Sequence, residues 1–169
     1  MENMPLADHY RIGKEGHGLY YAMEGYTYAR ALIGATCVGA AETALQLGVE
    51  YIRQRKSFGK PLAAYQGINF PAAERFTDIE SARLLTYKAA WMADEMYAEG
   101  AFKHKDVALF GAMAKLRAPI MAFETFNEVA NWLGAMGYTT EYPIEMGIRG
   151  VRSYSIGAEG GMNIMRMII

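Results

Sequence analysis

Apolar residues recur at steps of three and four along three successive stretches of about thirty residues, and no comparable stretch alternates apolar with polar side chains. A three-four rhythm lays one face of a helix against a core, whereas a strand needs a period of two, so the chain is committed to helices. The first stripe starts at Leu19 and passes through Met23, Tyr26, Ile33, Cys37, Ala40, Ala44 and Leu47 to Tyr51, interrupted at Arg30. Gly25, Gly34, Gly39 and Gly48 lie within it. Each costs up to ~1 kcal/mol against Ala in a helix interior, so neighbours are expected to approach this helix closely. Phe58-Gly59-Lys60-Pro61 breaks the pattern with a turn.

The second stripe, from Phe76 and Ile79 to Met92 and Met96, places Pro71 in the first turn of a helix and Gly100 at its stop. The third runs from Leu109 to Leu133 and keeps its period across Pro119, which predicts a kink rather than an end; it stops near Gly134 to Gly137. Beyond Tyr138, through Pro143, Gly147 and Gly150, the chain reads as irregular, with a short terminal helix from about Glu159 to Ile169. Helices of thirty residues are about 45 Å long and lie side by side. The expected fold is all-α, an antiparallel up-and-down bundle of the four-helix type. Residues 1–18 carry Pro5, Gly13, Gly16 and Gly18 without a period and read as a lead-in; residues 19–169 read as one helical domain.

Composition narrows the function classes. With 17 basic against 18 acidic residues the chain has no long-range field for a polyanion, which argues against a dedicated nucleic-acid binder. Cys37 is the single cysteine, so no internal disulfide forms, and a reducing, cytoplasmic setting is expected, or a mitochondrial matrix in a eukaryote. No basic and apolar leader opens the sequence and no uninterrupted apolar run approaches ~18 residues, so neither secretion nor a membrane span is expected. His9, His17 and His104 have no metal-ligand spacing, and no metal is expected. Gly157, Gly160 and Gly161 follow no strand, which excludes a Rossmann phosphate loop.

One corner does suggest chemistry. Arg53-Gln54-Arg55-Lys56 is the densest basic cluster and sits at a helix end, where the dipole favours cations. Ser57-Phe58-Gly59 follows at once, and Gln66 opens the next helix. A cation, an aromatic surface and an amide within one corner suit a nucleotide cofactor.

The run from Tyr51 through Arg55, Phe58-Gly59, Pro61-Leu62 and Gln66 resembles the R-x-x-F-G-x-P-L-x-x-x-Q signature of the acyl-CoA dehydrogenase family. The resemblance continues through 82–91, Ala114-Lys115, Gly134-Ala135-Met136-Gly137-Tyr138 with Glu141 and Pro143, and Glu159-Gly160 to Arg166. It covers nearly the whole chain, and only the C-terminal helical domain of that family. An N-terminal helical domain and a β-domain would precede it in a longer enzyme, with the lead-in as the crossing from the β-domain, and the isolated piece is expected to be inactive.

The resemblance implies FAD as cofactor and an acyl-CoA thioester as substrate. Arg55 and Gln66 match residues that reach the adenosine diphosphate part of FAD, usually across a subunit interface, with Phe58 beside them. Asn131, Gly134 and Ala135 match a flavin-contacting segment in which Asn131 stands for Gln and Ala135 for Gly; Gly161 and Asn163 are also assigned to the cofactor. Thr27 and Arg30 match a substrate-contacting Asp-x-x-Arg, with Thr27 for Asp, and Gly160 is placed at the substrate.

Glu159 matches the catalytic base. Removing an α-proton from a thioester as hydride leaves the β-carbon asks for one desolvated carboxylate facing the flavin. Glu159 stands seven residues before Arg166 and precedes Gly160, as in the family; Gly161 replaces Thr, and the interval from Arg149 is one residue longer, which puts Ala158 in the slot of an ungapped alignment. A branch of the family carries its base just before the substrate-contacting Arg, where this chain has Ala29. The resemblance further implies an electron-transferring flavoprotein as electron acceptor and a homo-oligomer, dimer or tetramer. Rival expectations are an acyl-CoA oxidase or flavin hydroxylase of the same fold and a non-enzymatic helical oligomerisation module, the last favoured by the departures at Thr27, Asn131, Ala135, Gly150 and Gly161.

Overall fold

A computed structural model describes residues 4–169. Helix α1 spans Gly18–Gln54 and ends at a hairpin of two-residue strands, β1 (Lys56–Ser57) and β2 (Lys60–Pro61), with Lys56 opposite Pro61 and Ser57 opposite Lys60. After a 3-10 turn at Leu62–Ala64 come α2 (Gln66–Glu99) and α3 (His104–Leu133), and a second 3-10 turn at Gly134–Tyr138 leads to α4 (Ile144–Ile156) and α5 (Met162–Ile168). Gly100 ends α2 in the left-handed conformation expected of a glycine stop.

Close contacts fix the helix directions. Tyr28 of α1 stacks on Tyr97 of α2 with ring centroids 5.1 Å apart, so α2 runs against α1. Gly34 lies beside Thr86 and Ala114, and Gly48 beside Val129 and Trp132, so α3 runs with α1. On α4, Gly147 meets Phe126 while the later Arg152 sits over Phe123, so α4 runs back along α3. The result is an up-down-up-down bundle closed by the short α5. The close approach expected along the first helix occurs at Gly34 and Gly48, where an added Cβ would stand 2.8 Å from Thr86 Oγ1 and from Val129 Cγ2, and not at Gly25 or Gly39.

The core is made of small and flexible side chains, with Cys37, Ala41, Ala118, Met121, Ala122 and Val129 all fully buried. Alanines at the seams let helix axes come near, and Met121 and Trp132 fill what remains. Burial raises the Cys37 thiol to about 12, which suits a packing residue rather than a nucleophile. Ion pairs tie the outer faces, Arg83 to Glu42 between α1 and α2 and Arg75 to Glu124 between α2 and α3. Half-exposed pairs of this kind contribute at most about 1 kcal/mol each, so the seam rather than the charges decides the packing.

Three local expectations need correction. Because α2 begins at Gln66, Pro71 falls in its second turn, where its missing N–H leaves the carbonyl of Gly67 without its usual helical donor. The stretch through Pro143, Gly147 and Gly150 is not irregular but forms α4, in which Gly147 is small because Phe126 occupies the space beside it. Among the described residues α1 does contain an 18-residue window of mean hydropathy 1.4, apolar and long enough by composition to cross a bilayer. Twelve of its residues are buried within the bundle.

Candidate functional site

Glu159 lies in the loop that joins α4 to α5, and that loop is bent sharply. Ala158 and Glu159 both have positive φ, 48° and 41°, and Gly160 follows at 106°. Side chains rarely adopt this region, and two in succession persist only where surrounding contacts over-determine them. Ala158→Gly relieves one of the two without removing any side-chain contact beyond a methyl group. It is expected to raise stability by about 0.5–1 kcal/mol, read as a higher midpoint in thermal denaturation; a lower midpoint would contradict the left-handed conformation.

Two buried cations face this loop. Arg30, 2% exposed, projects from α1 and donates from Nη2 to the main-chain oxygen of Glu159 at 3.2 Å. Lys115, 1% exposed, projects from α3 and donates to the carbonyls of Tyr154 at 3.1 Å, of Gly157 at 3.1 Å, and of Gly160. Those carbonyls belong to the end of α4 and the loop beyond it, the negative end of the helix dipole. Burial lowers the pKa of both cations; the Glu159 carboxylate pulls each back up, and on Lys115 the charge of Arg30 lowers it further. Two polar atoms in the cluster stay buried and unpartnered, Glu159 Oε2 and Arg30 Nε. A buried carboxylate oxygen that accepts no hydrogen bond calls for an explanation, and it suits a proton acceptor.

Thr27 does not join this cluster. It is 2% exposed, its hydroxyl donates to the main-chain oxygen of Met23 at 3.1 Å, and it lines an apolar cavity of about 180 Å³ with Ala31, Ala89, Ala93, Val107 and Gly111. Gly160 does join it, through the carbonyl that Lys115 holds. Gly161 caps the start of α5, where an added Cβ would stand 2.8 Å from the oxygen of Ile156, and the exposed Asn163 accepts a bond from Arg166 at 2.9 Å. Ala158 is exposed and brings no carboxylate to the slot.

A second group of residues gathers at the other end of α1. The Arg55 carbonyl accepts from the Leu62 amide at 2.8 Å, folding the hairpin against the helix end, and the Tyr65 hydroxyl donates to the Ser57 carbonyl at 2.7 Å. Phe58 and Gly59 form the turn with φ of 48° and 82°, the pair of positive values that a tight two-residue hairpin demands. This presents Phe58 to solvent at 96% exposure; Arg55, just past the end of α1, and Gln66, at the start of α2, are exposed as well. The sequence reading assigns Arg55, Phe58 and Gln66 to a cofactor corner, and the hairpin leaves all three side chains exposed at one end of α1. Asn131, Gly134 and Ala135, all exposed, end α3 at this same end of the bundle, next to the Trp132 that packs on Gly48.

The assigned residues thus fall into two groups rather than one. Arg30 and Arg55 are 25 residues apart along one helix, about 37 Å at 1.5 Å per residue. The residues fit a flavin dinucleotide in chemistry: one end offers an exposed aromatic ring and a cation for stacking and anion contacts, the other a carboxylate with a buried, unpartnered oxygen.

Sequence reasoning singled out Arg30 as a break in an apolar stripe, and the structure explains the break. It gave Lys115 no role. The available signal was the same kind: Gly111, Ala112, Ala118 and Pro119, three and four residues to either side, are all buried, so Lys115 is a lone cation on an apolar face.

Residues 16–169 match the family described as acyl-CoA dehydrogenase, C-terminal domain. An acyl-CoA dehydrogenase of Bacillus subtilis is 35% identical over 168 residues, 99% of this chain and 42% of that protein. A benzylmalonyl-CoA dehydrogenase of Aromatoleum aromaticum is 34% identical over 97% of this chain and 41% of that protein. The butyryl-CoA dehydrogenase structure from Megasphaera elsdenii superposes with a TM-score of 0.83 at 35% identity, over 92% of this chain and 38% of that one. The chain spans about two-fifths of the length of these relatives.

Proposed function

Because the chain belongs to the acyl-CoA dehydrogenase family, we propose that it forms the C-terminal helical domain of a flavin-dependent enzyme that removes hydrogen from the α- and β-carbons of an acyl-CoA thioester. The observation that carries this reading is Glu159, a carboxylate with one buried, unpartnered oxygen set in a strained loop between two buried cations. FAD, when bound, supplies the hydride acceptor. The chain's own part is proton removal. An oxygen of Glu159 takes the α-proton, and the electrons of the broken C–H bond stay on carbon, where the thioester carbonyl spreads them. Arg30 holds the Glu159 backbone during that step and adds positive charge beside the developing enolate.

Arg55, Phe58 and Gln66 are proposed to hold the adenosine diphosphate part of FAD, and Asn131, Gly134 and Ala135 to contact the cofactor from the end of α3. Since Arg55 lies about 37 Å along α1 from Arg30, which holds the Glu159 backbone, the proposal includes a homo-oligomer, dimer or tetramer, in which the hairpin corner of one copy completes the site of its partner. An electron-transferring flavoprotein as acceptor, a lead-in that continues from a β-domain, and a cytoplasmic or mitochondrial location belong to the same proposal.

The full-length enzyme of which this chain is proposed to be the C-terminal domain, loaded with FAD and titrated without oxygen with straight, branched and aromatic acyl-CoAs, is expected to lose its flavin absorbance with at least one of them. Bound flavin that no acyl-CoA reduces would move the reading to an oxygen-using hydroxylase. Failure to bind flavin at all would leave a helical oligomerisation module.

A further inference from the structure

We propose that Lys115 is a positioning residue for Glu159: its buried ammonium ties together the backbone on both sides of the Ala158-Glu159 pair and so sets where the carboxylate stands. The inference rests on Glu159 being the base, and it adds a residue that contacts neither substrate nor cofactor.

Glu159 is held by its backbone rather than by its carboxylate. Its buried Oε2 accepts no hydrogen bond, so the carboxylate is placed through its own backbone. That backbone is in the left-handed region at two successive residues with side chains, a conformation the chain leaves unless something pins it. An ammonium group has three N–H donors in tetrahedral array, and Lys115 uses them on three carbonyls, those of Tyr154, Gly157 and Gly160. Gly157 immediately precedes the strained pair and Gly160 immediately follows it, so the two bonds bracket the distortion, and the Tyr154 bond anchors the bracket to the last turn of α4. Arg30 supplies the one bond inside the bracket, to the Glu159 oxygen. α3, from which Lys115 projects, is the helix that packs on α1, α2, α4 and α5, so the loop is referred to the most fixed element of the fold.

A residue that only capped α4 would affect stability and nothing else. A positioning residue affects the rate of proton removal through Glu159 and is silent once Glu159 is disabled, which separates the two roles. Lys115→Gln keeps two donors on a side chain one bond shorter, and Lys115→Met keeps none. In FAD-loaded protein, the rate of flavin bleaching at saturation is measured with whichever of butyryl-CoA, isobutyryl-CoA and 3-phenylpropionyl-CoA reduces the wild type fastest. The expected loss is about 10–100-fold, larger for Met than for Gln, with acyl-CoA affinity changed less than about threefold, as for a catalytic group displaced by about 1 Å. In a Glu159→Gln background, adding Lys115→Gln is expected to cost no further rate. Amide hydrogen exchange across 157–165 is expected to quicken in Lys115→Gln while the segment 31–54 keeps its protection.

An unchanged bleaching rate, or an equal fold-loss with and without Glu159, would overturn the proposal; so would unchanged exchange across 157–165. If Lys115→Met does not fold, Lys115→Gln carries the test. If no acyl-CoA reduces the wild-type flavin, the dehydrogenase reading fails on its own, and the exchange measurement still decides whether Lys115 holds the loop.

Discussion

Glu159→Gln is expected to slow flavin reduction by acyl-CoA about 10²–10⁴-fold, with flavin content and acyl-CoA affinity close to wild type. The geometry makes this substitution unusually clean. Arg30 binds the main-chain oxygen of residue 159 and Lys115 binds the carbonyls of its neighbours, so neither contact depends on the carboxylate. Glutamine has the same length and volume, and the loop keeps its course. What disappears is the proton acceptor, together with a negative charge that favours the charged forms of the buried Arg30 and Lys115. A modest fall in thermal midpoint therefore accompanies the loss of activity, because Arg30 and Lys115 then face each other without a carboxylate. Glu159→Asp retains a base set back by one methylene and is expected to lie between the two. Rapid-mixing measurement of flavin bleaching checks the series; a Glu159→Gln rate within tenfold of wild type would remove Glu159 from the chemistry and with it the main support for the proposed function.

Much of the bundle was legible because burial imposes a period. Ile33, Cys37, Ala44, Ile79, Ala89, Phe126 and Leu133 are buried where the three-four stripes of α1, α2 and α3 place them, but on α3 the expected stripe through Leu109, Met113, Leu116 and Ile120 is only half-buried and the fully buried face runs instead through Ala118, Met121, Ala122 and Val129. Arg30 was legible for the converse reason, as a cation where the period calls for an apolar side chain. The turn at Phe58-Gly59 was legible from glycine and proline, although the pair of two-residue strands around it is too short to alternate. Lys115 was legible only as a lone cation among Gly111, Ala112, Ala118 and Pro119, a face the expected α3 stripe did not follow; its role stayed hidden because its partners are main-chain carbonyls some forty residues away. The gap between the two groups of site residues was partly hidden. The separation of Arg30 from Arg55 along the first stripe could be counted in the sequence; what could not was that the loop after α4 folds back onto Arg30 and so puts Glu159 at the far end from Arg55.

The helix that sequence reasoning missed supplies the other large expected effect. Gly147 and Gly150 make the stretch before Glu159 look like a loop, since each costs up to ~1 kcal/mol in a helix interior. In α4 they have different reasons to be there. A Cβ on Gly147 would lie 2.0 Å from Phe126 Cε1 and 2.5 Å from Cζ, whereas a Cβ on Gly150 meets nothing within 4 Å. The same change to alanine is therefore expected to have opposite signs at the two positions. Gly150→Ala gains helix propensity in open space and is expected to stabilise by about 0.5–1 kcal/mol. Gly147→Ala gains the same propensity but drives a methyl group into a buried ring, and overpacking of this kind costs about 1–3 kcal/mol and outweighs it. Thermal denaturation of the two variants beside wild type checks the signs. Phe126→Leu, in the same background as Gly147→Ala, is expected to restore part of the loss, so that the double variant is more stable than the sum of the single effects predicts. Because α4 leads directly into the loop that carries Glu159, Gly147→Ala is also expected to lower the rate of flavin reduction while Gly150→Ala leaves it unchanged, which ties the packing of one glycine against one ring to the placement of the base.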